Sequence, residues 1–247
     1  LQGLAFSDYS KGKLDQATAK LKSLLNDVEM LPSEKRAVLT TFRSIPGLAY
    51  YYFEEGRYNE VILAFEKARQ YAETSHEQSR LDRELVYFLE LLGKGNEIMK
   101  ISHMARSRTD DSLRAIVNGL SFRARALAAL DSTQALSETI DELRDYIDFA
   151  GGYLVFVIEM LEVEIEVDNG EYENALVRLT DLSNSTAAYG GGLQVILLNK
   201  IAGIYEKSGY DNKAIIQHKN ILSKYGGHAL SHYDLGRLNE RIGQPEE

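Results

Sequence analysis

Apolar positions along this chain keep a beat of roughly 38 residues rather than one continuous pattern. A glycine marks each beat, at Gly12, Gly56, Gly93, Gly170, Gly209 and Gly243, with one beat missing near Leu130-Asp131. Eight residues before the glycine stands an aliphatic residue: Leu4, Leu48, Leu85, Ile201 and Leu235. The next position is small or aliphatic: Ala5, Ala49, Val86, Ala202 and Gly236. Five residues after the glycine come Ala17, Val61, Ile98, Ala175 and Ala214, with Ala135 holding that place in the unit without a glycine. Such a glycine ends one helix in a left-handed conformation. The small residue beyond it lies where the next helix crosses the first and bulk would hold the backbones apart.

The beat predicts antiparallel helix pairs. First helices are expected near 1–11, 33–55, 77–92, 111–130, 152–168, 192–208 and 228–242. Second helices are expected near 13–28, 58–73, 96–106, 133–149, 172–184 and 211–224. Ser33 after Pro32 suits a helix cap, and Pro46 would kink or split the 33–55 stretch. Glycine pairs and triplets at 151–152, 190–192 and 226–227 read as turns between units, since no Lys-Ser/Thr follows them to make a phosphate loop. One segment opposes the pattern. Glu162-Val-Glu-Ile-Glu-Val167 alternates with period two, as a half-exposed strand does. Leu154, Ile158, Leu161 and Ile165 also fit helical spacing, and the segment is expected to be helix.

The pattern resembles the tetratricopeptide repeat. The residues that carry the likeness are Leu48-Ala49, Tyr52, Gly56, Tyr58, Val61 and Phe65, then Ile201-Ala202, Tyr205, Gly209 and Ala214, with Leu235-Gly236 and Gly243 opening a further unit. Units three and four are degenerate: Gly95 replaces the aromatic in one, and the other lacks the glycine. The period is longer than that of the common repeat and is similar to the long-period repeats of bacterial signalling regulators. The likeness implies one all-α domain over 1–247, a right-handed α-solenoid of about six helix pairs and the first helix of a seventh. It implies a scaffold that binds a protein or peptide on the concave face lined by the first helices. The alternative it implies is a ligand-sensing regulatory arm of a larger signalling protein. Family-like frames place Phe6, Tyr9, Tyr50, Phe53, Arg83, Tyr87, Asn199, Tyr233 and Arg237 on that face. The family's clamp for a peptide's terminal carboxylate is not expected, because Phe6, Tyr50, Tyr87, Glu164 and Gly203 stand at its positions.

Charge adds a second candidate. From Glu138 to Glu173 there are twelve acids and one base, whereas 99–137 holds six bases and three acids. The acidic run reads either as solvated helix faces or as a patch for a basic partner. Arg106, Arg108, Arg114, Arg123 and Arg125 read either as a site for phosphate or an acidic peptide or, as expected, as partners of neighbouring acids and solvent. A net charge of −9 argues against nonspecific nucleic-acid binding. No apolar run reaches the ~18–20 residues needed to span a bilayer, and a cytoplasmic location is the expectation.

Chemistry is sparse. There are no cysteines, so no disulfide, thiolate metal site or cysteine nucleophile is expected. His228 and His232 lie four apart, as zinc ligands on one helix face can, but no third ligand is near. His228 is expected at a helix start and His232 packed between helices. No nucleophile elbow, Walker loop or dinucleotide fingerprint occurs, so neither an enzyme nor a cofactor is expected. The chain stops at Gln244-Pro245-Glu246-Glu247, where the seventh pair is half built. That leads to the expectation of a fragment of a longer protein. Leu235, Leu238 or Ile242 would then be exposed and support self-association through the last helix.

Overall fold

A computed structural model describes residues 48–49, 52–53, 55–107, 113–186, 191–224 and 229–243, with short helical runs between 15 and 23. All regular structure among the described residues is helical: α1 (Tyr58–Arg69), α2 (Ser75–Leu91), α3 (Gly95–Ser107), α4 (Leu113–Ala128), α5 (Thr133–Arg144), α6 (Ile147–Ala150), α7 (Gly152–Asp168), α8 (Tyr172–Thr186), α9 (Gly191–Lys207), α10 (Asp211–Lys224) and α11 (Ala229–Arg241). From residue 58 onward the boundaries match the expected helices to within two or three residues, with two exceptions. The 58–73 helix ends at Arg69, and the 133–149 helix breaks at 145–146 into α5 and the single turn α6. The helices expected at 1–11, 13–28 and 33–55, with the Ser33 cap and the Pro46 kink, lie largely outside the described residues. The chain forms two compact units, Leu1–Phe122 and Arg123–Glu247.

The repeat is written in the backbone. Gly56, Gly93, Gly170, Gly209 and Gly243 all have φ between +63° and +78°. At the missing beat Asp131 takes the same left-handed conformation, with φ +52°. It is the only non-glycine among the described residues to do so. Each of the first five described turns, Asp131 included, closes with the same two hydrogen bonds; the turn expected at Gly12 lies outside the described residues. At Gly56, its N–H donates to the Phe53 carbonyl at 3.0 Å and that of Arg57 to Tyr52 at 2.8 Å. The pair recurs as Gly93 to Glu90 with Lys94 to Leu89, and as Asp131 to Ala128 with Ser132 to Leu127. It recurs again as Gly170 to Val167 with Glu171 to Glu166, and as Gly209 to Glu206 with Tyr210 to Tyr205. This is the Schellman arrangement, which satisfies the last carbonyls of a helix and turns the chain into the next one. The turns stand 37, 38, 39, 39 and 34 residues apart.

The second helices bury the same three positions, five, nine and twelve residues past the turn. These are Val61, Phe65 and Ala68 in α1; Ile98, Ser102 and Ala105 in α3; Leu136, Ile140 and Leu143 in α5; Ala175, Leu179 and Leu182 in α8; Ala214, His218 and Ile221 in α10. With Asp131 as the turn, the crossover residue of α5 is Leu136 and not Ala135, which is only half-buried. Spacings of four and three put the triplet on one face of a helix, and successive helices pack within each unit: α1 on α2 and α2 on α3 in the first; α5 on α7, then α7 through α11 in succession, in the second. In the second unit Met160, Val163, Val167, Ala175, Leu179, Leu197 and Ile204 form one such core.

The alternating segment 162–167 is helix. Val163 and Val167 enter that core, and the glutamates between them leave in different directions. Glu162 and Glu166, one turn apart, both accept from Arg178 of α8, at 2.9 and 2.7 Å. Glu162 also accepts from Arg144 of α5 at 2.6 Å, and Glu164 pairs with Lys200 of α9. Period two here is the coincidence of a buried valine stripe with two glutamate stripes.

The last helix is covered. Leu235 and Leu238 pack with Ala214 and Ile215, with Ile242 at the edge. The expected exposure of Leu235 and Leu238 is therefore wrong, and with it the apolar basis for self-association through α11. No helix among the described residues is long and apolar enough to cross a membrane.

Candidate functional site

Of the nine residues assigned to a binding face, Phe6, Tyr9 and Tyr50 lie outside the described residues, as do Arg108 and His228. Phe53 is 1% exposed. Its ring stands 5.4 Å from Tyr58 and 5.3 Å from Phe88, so it is part of the first unit's aromatic core. Arg83 and Tyr87 sit one turn apart on α2, both half-buried. Helix α2 itself is fixed by a capping box: the Glu77 N–H donates to Thr74 Oγ1 at 3.2 Å and the Thr74 N–H to Glu77 Oε2 at 3.1 Å. Across its inner face Asp82, 0% exposed, accepts two bonds from Arg69 of α1, at 3.0 and 2.6 Å. A carboxylate so buried needs such a partner.

The second unit brings Asn199, Tyr233 and Arg237 onto neighbouring elements, α9 and α11. Arg237 donates to both carboxylate oxygens of Glu206, one of them at 2.6 Å, and to Asp234 at 3.2 Å. Arg241 donates to Glu206 at 3.1 Å and also pairs with Asp211 through two bonds. The Arg237 guanidinium holds the Glu206 carboxyl below the usual carboxylate range, against the opposing effect of burial. Glu206 and Asp234 in turn raise the Arg237 pKa. With Glu164–Lys200, these pairs tie α7 to α9 and α9 to α11. Arg237 is thus engaged within the chain. Among the described residues assigned to the face, Tyr233, 68% exposed, most fully faces solvent.

Behind this network lies a polar group that sequence reading passed over. His218 is 3% exposed, and its Nδ1 stands 3.4 Å from Ser231 Oγ. The Ser231 hydroxyl is 3.4 Å from Asn199 Oδ1, and Asn199 Nδ2 donates to the Val195 carbonyl at 2.9 Å. His232, expected between helices, is exposed instead. The repeat frame held the missed signal: His218 is nine residues past Gly209, the place Phe65 occupies past Gly56. Burial pushes the His218 pKa down, with Asp234 and Glu206 opposing and Arg237 adding to the shift.

Four acids of the run, Asp141, Glu162, Glu164 and Glu166, are answered inside the fold by Arg144, Arg178 and Lys200. Beside it a cleft of about 480 Å³ opens between two consecutive turns, lined by Glu171, Tyr172, Glu173, Asn174, Ser208 and Tyr210. Lys213 already lies over the Tyr205 and Tyr210 rings, 5.4 and 4.7 Å from their centroids. Among the described residues no group of three or more His, Asp or Glu is placed to hold a metal ion. The basic group around α4 is dispersed: Arg123 reaches Glu142 at 3.4 Å. Arg114 lies 3.4 Å from His76 Nδ1, and the stem of Arg106 crosses Gly119 so closely that a β-carbon there would stand 2.4 Å from its Cγ. No family model matches the chain, and no curated protein matches it.

Proposed function

We propose that the chain is a tetratricopeptide-like, right-handed α-solenoid that serves as a scaffold for a protein or peptide partner, held on the face of its first helices. The observation that carries this reading is the repetition itself. One Schellman turn and one buried triplet recur at a near-constant step, so each first helix stands in an equivalent place in its unit. Equivalent helices stacked in order present a row of equivalent surfaces, the general basis of binding in repeat proteins. On that row Tyr233 offers broad contact area and a hydroxyl at small entropy cost. Arg83 and Tyr87 are the counterparts in the first unit, and Arg237 with Glu206 supplies a charged rung that polar partners meet.

Photo-crosslinking in the source cells tests this. A benzophenone side chain is placed at Tyr87 or Tyr233 and, for comparison, at Val177 or Ile216, which are exposed on second helices. The proposal expects one common partner from the first-helix positions, and Tyr233→Ala to weaken its binding by about tenfold, as loss of an aromatic anchor does. Crosslinks confined to Val177 and Ile216 would place binding on the other face and overturn the reading.

A further inference from the structure

We infer that α11 is latched to α9 and α10 by the buried His218 imidazole, and that protonating this ring loosens the latch. The repeat makes the position conspicuous. Its equivalents past the other described turns are Phe65, Ser102, Ile140 and Leu179, none of which titrates. Among the described helices α10 alone carries at this inner position a group that changes charge near neutral pH.

The neighbours set its resting state. Asn199 donates through Nδ2 to its own helix, which turns Oδ1 toward Ser231. The Ser231 hydroxyl then donates to Asn199, and its oxygen accepts from Nδ1–H of a neutral imidazole. An added proton goes to Nε2 and creates a cation in the interior. The elements packed on α10 are α9 and α11, and the charged groups acting on the ring are Glu206 from α9 with Asp234 and Arg237 from α11. Both carboxylates are already committed to Arg237. They soften the cost of the imidazolium without pairing it, and burial prevails.

Linkage follows from that balance. The folded protein disfavours the protonated ring, so the unfolded segment binds more protons between the depressed folded value and the ordinary one of about 6.5. The latch is at full strength above that ordinary value and weakens as pH falls below it. Glu206, held ionised by Arg237, keeps its charge through the same interval. Because Tyr233 and Arg237 ride on α11, acidification would also disorder the end of the proposed binding face. That last step rests on the scaffold reading, whereas the latch does not.

Amide exchange followed by mass spectrometry, on the full chain between pH 7.5 and 5 and corrected for intrinsic exchange, reads the latch without any partner. In the native chain peptides from 230–241 should exchange about fivefold faster or more at pH 5, with α7 and α8 unchanged. In His218→Leu and in His218→Phe, which place in α10 the side chains that α8 and α1 already carry, the acid response should vanish. A response in α11 that survives both substitutions, or no response in the native chain, overturns the inference. So does equal quickening of α7, α8 and α11, which would be global unfolding rather than release of one helix.

Discussion

Helices α1 and α10 fill the same place in the repeat with opposite chemistry. Nine residues past its turn, α1 buries Phe65, whose ring lies 5.8 Å from Phe88. Nine past its turn, α10 buries His218 against a serine and an asparagine. Backbone, turn hydrogen bonds and burial are alike in the two. The frame therefore decides which positions go inside, and leaves open what chemistry is put there. Stability in the first helix is dispersion and area; in the second, part of it is conditional on pH.

The comparison can be broken most forcefully by exchanging the two residues. Phe65→His should destabilise the chain by about 3 kcal/mol, the scale of emptying an aromatic core site, because no Ser231 or Asn199 counterpart awaits it. Urea unfolding at pH 7.5 reads the loss. The reverse exchange, His218→Phe, should cost far less and flatten the fall of stability below about pH 6.5.

Crossing positions sharpen the point. Val61 and Ala214 are both fully buried five residues past their turns. Ala214→Leu should cost on the order of 1–3 kcal/mol by overpacking, visible as a lowered Tm. An unchanged melting curve would mean the helices do not meet there.

Smaller effects of opposite sign are expected at the turns. Nothing lies within 4 Å of a β-carbon built on Gly209, so Gly209→Ala meets only the cost of its φ of +78°, about 1–2 kcal/mol. Asp131→Gly relieves the same conformation and should stabilise by about 0.5–1 kcal/mol. Equal signs in chemical denaturation would show that Asp131 is not the glycine's stand-in. The smallest change is Arg241→Ala: its pairs with Glu206 and Asp211 are exposed, and no shift in Tm is expected.

Much of this architecture was legible beforehand because glycine is a local signal. A left-handed residue at a helix end is favoured by backbone sterics alone, so Gly56, Gly93, Gly170 and Gly209 announce their turns. Asp131 did not, since aspartate adopts that conformation only where the surrounding chain holds it. That one substitution displaced the expected crossover from Leu136 to Ala135. Among site residues, Tyr233 was placed on the first-helix face by the family-like frame alone, and it is exposed. Phe53 was not readable as core, because an aromatic on a first helix fits either face until its neighbours are known. His218 was missed for a different reason: a histidine in a polar-looking stretch has no apolar signature, and only alignment with Phe65 reveals it.

The central claim is that a helix pair closed by the Schellman turn is the unit of this fold. Excising residues 171–209, one full period, tests it most directly. Gly170 then joins Tyr210, Ala214 falls five residues past the turn, and α10 can pack on α7 as α8 does in the intact chain. The account predicts a cooperative thermal transition and a far-ultraviolet circular dichroism signal per residue within about 10% of the parent, as expected when a repeat array loses an internal unit. An excision of 171–200, out of step with the turns, should abolish cooperativity. If both excised chains lose their cooperative transition alike, the helix pairs are not interchangeable units and the account is wrong.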